Sequence, residues 1–182
     1  LGALRSAFRI SDAQAVEKYS GLVTVNELAT DENKSTAQYY LGKTLYANKK
    51  LDGAFEAFDN VQKLSNNYQA AESRYMKAKI LSDQSKLDEA KKAANDANKS
   101  NANYPFWIAK SILLLADIYI VEEDLLNARA AAEAVVENFK SDQSLVDEAN
   151  EKLELISKLE ELKSRIKEQN TSETIELDTI GN

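Results

Sequence analysis

Apolar and small residues recur along this chain at helical spacing, and the whole pattern then returns at a longer period. In YYLGKTLYANKKLDGAFEAF, residues 39–58, Gly42 and Ala54 lie twelve apart, Leu51 stands three before Ala54, and Phe58 and Val61 follow it by four and seven. The same columns reappear at Ala78 and Ala90 with Leu87, Ala94 and Ala97, and again at Ala116 and Ala128 with Leu125, Ala132 and Val135. The repeat is 36 residues long and then 38. Within each unit the apolar positions follow the 3.6-residue period of a helix. Two helices joined by a polar break are therefore expected in each unit, and the small residues mark where the two backbones approach.

The breaks support this division. Asn48-Lys49-Lys50, Asp83-Gln84-Ser85-Lys86 and Glu122-Glu123-Asp124 separate the two helices of a unit. Ser65-Asn66-Asn67 and Ser100-Asn101-Ala102-Asn103 lie between units and read as turns and N-caps. Pro105 opens the third unit, where its missing N–H costs little.

The ends depart from the pattern. Residues 1–34 read as a partial preceding hairpin, with Leu1, Leu4 and Phe8 on one face and Val16, Tyr19 and Val23 on the next helix. Val16 precedes Ala54 by 38, although Ala15 aligns equally well, so no register follows. Residues 141–168 read as one long capping helix with two apolar stripes. Val146, Ala149, Leu153 and Ile156 seal the last repeat, as the end of a stack requires. Leu155, Leu159, Leu162 and Ile166 form a second stripe, either an extended cap or a short coiled-coil contact for a homodimer. The acidic tail, 169–182, reads as disordered by composition, with Ile175, Leu177 and Ile180 available to lie in a groove of this molecule or a neighbour. The opening Leu-Gly-Ala-Leu, without Met, reads either as the start of a C-terminal portion of something longer or as the start of a processed chain.

Composition narrows the chemistry. The chain has 182 residues with no Cys, no His, five Gly and one Pro, a helix-forming mixture with neither thiolate nor imidazole. Its net charge of −7 argues against nucleic acid, which requires clustered Lys and Arg. That charge is uneven: 18 basic against 19 acidic residues up to 140, then 5 against 11. No apolar run reaches the length of a bilayer span. No nucleophile elbow, phosphate cradle or calcium loop is present, and carboxylate pairs such as Asp88-Glu89 and Glu122-Glu123 fall at turns and helix starts. The sequence therefore implies no enzyme and no cofactor.

The columns resemble the tetratricopeptide repeat, whose signature runs Leu-Gly, a later Tyr, then Ala and Phe, over residues 35–140. The match is loose: the Trp column holds Gln38, Arg74 and Ile112, and Leu-Gly is complete only at Leu41-Gly42. The resemblance implies an all-α, right-handed superhelical solenoid of three hairpins, about 35–68, 71–104 and 105–140. It also implies a scaffold that binds a protein or peptide in a concave groove, with homo-oligomerisation through the C-terminal helix as the alternative. The long period resembles repeats of large bacterial cell-envelope proteins, which implies an envelope or periplasmic setting, with the cytoplasm as the alternative. On the family's pattern the groove is lined by Thr36, Tyr39, Lys43 and Tyr46, then Glu72, Tyr75, Lys79 and Ser82, then Lys110, Leu113, Asp117 and Ile120. Tyr39 and Tyr75 repeat at 36, as do Lys43 and Lys79. Partner binding is thus assigned to Tyr39, Lys43, Tyr46, Tyr75, Lys79, Leu113 and Asp117. Trp107, beside Phe106 and Ile108, is assigned to the core between hairpins.

Overall fold

A computed structural model describes the backbone of residues 1–180 and the side chains of residues 1–169. Among the described residues there is no strand. The helices are α1 (Gly2–Arg9), α2 (Ala13–Val25), α3 (Asp31–Ala47), α4 (Leu51–Leu64), α5 (Tyr68–Asp83), α6 (Leu87–Ser100), α7 (Pro105–Val121), α8 (Leu125–Asn138) and α9 (Gln143–Ile180). Several starts are capped by side chains. Asp12 accepts from the Ala15 N–H at 3.0 Å, Thr30 from Asn33 at 3.2 Å, and Asn67 from Ala70 at 3.1 Å. Each such bond satisfies an N–H that has no partner inside its helix.

The turn inside each hairpin has one geometry, used four times. Ser11, Lys49, Ser85 and Glu123 all adopt positive φ, at 57°, 61°, 59° and 60°. The residue after each donates its N–H back across the turn: Asp12 to Ala7 O, Lys50 to Leu45 O, Lys86 to Leu81 O and Asp124 to Tyr119 O, at 2.9–3.0 Å. This is the left-handed C-terminal cap that usually carries glycine, built here without one. It also gives α1 and α2 the register that sequence left open. Ser11 matches Lys49, so Val16 matches Ala54, and both are fully buried.

Packing divides the chain into two units, residues 1–111 and 112 onward, each with its own interior. In the first, Leu4, Ala7, Val16 and Ala37 form one cluster, and Ala54, Phe58, Met76 and Ile80 form the next. The small-residue columns are all inside: Gly42, Ala54, Ala78, Ala90, Ala116 and Ala128 are buried.

In the second unit α8 packs on α9 around Leu125, Ala128 and Ile156. Ion pairs of Arg129 with Glu160 and Lys163 with Glu123 flank that seam. The buried face of α9 is Leu145, Ala149 and Ile156. Val146 and Leu153, assigned to it from sequence, are only half-buried. Leu155, Leu162 and Ile166 are exposed, while the half-buried Leu159 packs against the α8–α9 cluster. The α9 backbone continues beyond residue 168, where the sequence reading ends it, to Ile180. The side chains of Ile175, Leu177 and Ile180, read as groove-seeking, lie outside the described residues.

Candidate functional site

Helices α3 and α5 are the first helices of successive hairpins, and a row of polar groups joins them. Thr36 Oγ1 lies 3.3 Å from Gln69 Oε1. Three residues further along each helix, the Tyr39 hydroxyl donates to Glu72 Oε2 at 2.6 Å. One turn beyond Tyr39, Lys43 Nζ donates to the other Glu72 oxygen at 2.5 Å and stands 5.8 Å from the Tyr39 ring centroid. At the far end the Tyr46 hydroxyl donates to Asp83 Oδ2 at 2.6 Å, and Lys79 Nζ reaches Asp83 Oδ1 at 3.4 Å. Glu72 is buried, 6 % exposed, and each of its carboxylate oxygens accepts from one donor, Oε2 from Tyr39 and Oε1 from Lys43.

Helical spacing explains why these side chains meet. Tyr39, Lys43 and Tyr46 stand at i, i+4 and i+7 on one face of α3, and Glu72, Lys79 and Asp83 stand at i, i+7 and i+11 on one face of α5. Their apolar parts settle on the interior below. The rings of Tyr39, Tyr46 and Tyr75 pack against the cluster of Ala54, Phe58, Met76 and Ile80. Tyr75 also lies 5.4 Å from Trp107, which has Tyr68 at 5.7 Å and Phe106 at 5.0 Å. Trp107 is 8 % exposed, in keeping with its assignment to the interior.

The electrostatics suit contact rather than proton transfer. Burial first, then the bond to Glu72 and its negative charge, push the Tyr39 hydroxyl well above the ordinary tyrosine range. Tyr46 is pushed the same way by burial and then by Asp83. A general acid works best with a pKa near the operating pH, and these hydroxyls are moved away from it. Among the described residues no three carboxylates gather as a metal site requires, and no helix is long and apolar enough to cross a membrane.

The first unit therefore brings five of the seven assigned residues onto one pair of helices, with both lysines already paired. The other two fall in the second unit and differ from the reading. Leu113 is 1 % exposed and offers no surface, because a leucine at the tyrosine column has no hydroxyl to hold it at the edge and sinks into the interior. Asp117 is exposed but forms an ion pair with Lys152 of α9. Sequence reasoning missed Asp83, which it took for part of a break. It lies 37 residues after Tyr46, one past the matching column at Ser82, so column spacing gave no signal for it.

No protein-family model matches the chain, and no curated protein does. Among solved structures it is similar to a crystal structure of nearly identical TPR-like repeats from Podosopora anserina, assigned to a kinesin light chain. The two share 18 % identity over 89 % of this chain and 93 % of that one, with a TM-score of 0.58. At that identity the likeness speaks to the fold. The chain has the all-α fold of tetratricopeptide-like repeats.

Proposed function

We propose that this protein is a non-catalytic scaffold for protein–protein interaction, and that a peptide or protein partner docks across α3 and α5. The observation that carries this reading is the row Tyr39, Lys43, Tyr46 and Lys79, with Tyr75 beside it, half-exposed on consecutive first helices and held in place by Glu72 and Asp83. Half-buried tyrosines give a partner a large rigid surface at little entropic cost. A charge network shared between two hairpins presets their spacing, and such preorganisation favours binding. Because Lys43 and Lys79 already face carboxylates, the partner gains most from packing on the rings and from hydrogen bonds at the edges. The test is a map of a bound peptide. Peptides selected from a random library on the folded chain should perturb backbone amide resonances of residues 36–46 and 72–83. Perturbation confined elsewhere would refute the reading.

Self-association through α9 is the second reading, favoured by Leu155, Leu162 and Ile166, which are 46 %, 54 % and 48 % exposed along one stripe. Helical geometry sets Lys158 and Arg165 along one edge of that stripe and Lys163 along the other. These cations are already paired within the chain, Lys158 with Glu154, Arg165 with Glu161 and Lys163 with Glu123, so the edges offer a second copy no free charge and this reading ranks second. Sedimentation equilibrium at tens of micromolar decides it: a monomer at that concentration removes it.

A further inference from the structure

Successive repeats leave a similar crevice where the second helix of one hairpin meets the next hairpin. One, of about 260 Å³, lies among α2, α3 and α4 and is lined by Thr24, Lys34, Gln38 and Asn60. The next, of about 240 Å³, lies among α4, α5 and α6 and is lined by Gln62, Arg74, Lys77, Asp96 and Ser100. Gln38 and Arg74 occupy the same column, 36 residues apart. Gln38 answers its surroundings with a neutral bond, donating to Thr24 Oγ1 at 2.9 Å. The fold therefore accepts an uncharged amide at this position.

Arg74 places a full charge there and finds only neutral acceptors. Its Nη1 donates to Asn101 Oδ1 at 2.9 Å and its Nη2 to Asn66 Oδ1 at 2.6 Å. Among the described residues no carboxylate pairs with it. Burial lowers its pKa from the ordinary arginine value, the direction expected of a cation taken from water without a counter-charge. Asn101 is fully buried, and its Nδ2 donates to Ala71 O at 3.1 Å, so the guanidinium is aimed by a fixed support. A guanidinium has five N–H donors, and two are used here, which leaves three more in the plane of the group. Gln62 adds a buried side-chain nitrogen with no hydrogen-bond partner. Lys77, at the same crevice, is paired with Asp59, and the exposed Asp96 stands 3.9 Å from Lys99.

We propose that the crevice among α4, α5 and α6 binds a carboxylate, with Arg74 as the recognition group. The ligand is either a free small carboxylic acid or the side chain of an acidic residue on a partner. A planar carboxylate matches the remaining guanidinium donors and supplies the counter-charge that Arg74 lacks. The site does not depend on the α3–α5 face, so neutralising Lys43 and Lys79 leaves it intact.

The experiment is a titration followed by nitrogen–proton NMR at constant ionic strength, with succinate in one arm and a blocked Gly-Glu-Gly peptide in the other. Saturable shifts are expected at the Arg74 Nε–H, the Gln62 side-chain amide and the Ala93, Ala97 and Ser100 amides. Response to succinate alone identifies a free acid, and response to the peptide identifies a protein-borne one. Arg74→Gln, which copies the occupant of the preceding crevice, should abolish the shifts while the rest of the spectrum stays dispersed. Arg74→Lys keeps the charge without the planar guanidinium and should weaken binding. The proposal is overturned by the absence of saturable shifts in the unaltered chain, or by undiminished binding in either variant.

Discussion

The ring of Phe58 lies flat enough over Gly42 that a Cβ at residue 42 would stand 2.9 Å from two of its carbons and 3.1 Å from a third. That contact is the reason for a small residue in the column. Phe58 is fully buried and cannot swing into solvent. Gly42→Ala gains up to about 1 kcal/mol of helix propensity but overpacks a rigid ring, which costs roughly 1–3 kcal/mol. A net loss of about 1 kcal/mol is expected, read as a lower urea midpoint. Gly21→Ala is the control. A Cβ there meets nothing within 4 Å in the interior of α2, so the same exchange should stabilise by about 0.5–1 kcal/mol.

Four non-glycine residues at positive φ give a second prediction. The left-handed region costs an ordinary L-residue about 1 kcal/mol or more, and glycine avoids that cost. Lys49→Gly and Ser85→Gly should each raise stability by about 0.5–1 kcal/mol in chemical denaturation. A loss at both positions would show that the lysine and serine side chains matter more than the turn conformation.

Asn101 is expected to be costly to truncate. It is fully buried, accepts from Arg74 and donates to Ala71 O, and thereby ties the end of α6 to α5. Asn101→Ala leaves a buried carbonyl and part of a guanidinium unsatisfied, and should cost about 1–3 kcal/mol. Thermal melting of the variant gives the value.

The fold was legible because close approach of backbones leaves a mark on residue size. Gly42/Ala54, Ala78/Ala90 and Ala116/Ala128 show where helices cross, and all are buried. Spacing within a helix also displayed the Tyr39–Lys43 and Tyr75–Lys79 pairs. It could not display their acceptors. Glu72 lies 33 residues from Tyr39, and only the packing of one hairpin on the next brings them together. Column position alone also put Leu113 with Tyr39 and Tyr75, although side-chain chemistry takes it inside. On α9 the apolar stripes were visible but their depth was not. Leu145 is 1 % exposed while its neighbour Val146 is only half-buried, a difference of about 100° around the helix that the spacing of apolar residues does not settle. Composition reads the tail after residue 168 as disordered, while the α9 backbone runs on to Ile180 through a stretch without Gly or Pro.

The tyrosine hydroxyls of Tyr39 and Tyr46 predict a pH dependence. Both pKa values are raised in the folded chain, so their contribution is present below the ordinary tyrosine value of about 10. Above it the unfolded chain releases protons that the folded chain retains, and stability falls as pH rises. Urea midpoints between about pH 9 and 11 should show that decline. In the Tyr39→Phe/Tyr46→Phe variant the decline should be shallower, and an identical slope would mean that these hydroxyls ionise normally.

Docking on α3 and α5 is tested most directly by removing its charges without disturbing its packing. Alanine at Tyr39 or Tyr75 would also loosen the Phe58 cluster, whereas the half-exposed Lys43 and Lys79 can become glutamine with the interior intact. The decisive measurement is fluorescence anisotropy of one library-selected peptide against the unaltered chain and the Lys43→Gln/Lys79→Gln variant. The account predicts affinity weakened about tenfold, roughly 1.4 kcal/mol, in a variant that still folds but melts lower, because Lys43 is one of the two donors on the buried Glu72. Equal affinity for the two proteins would contradict it.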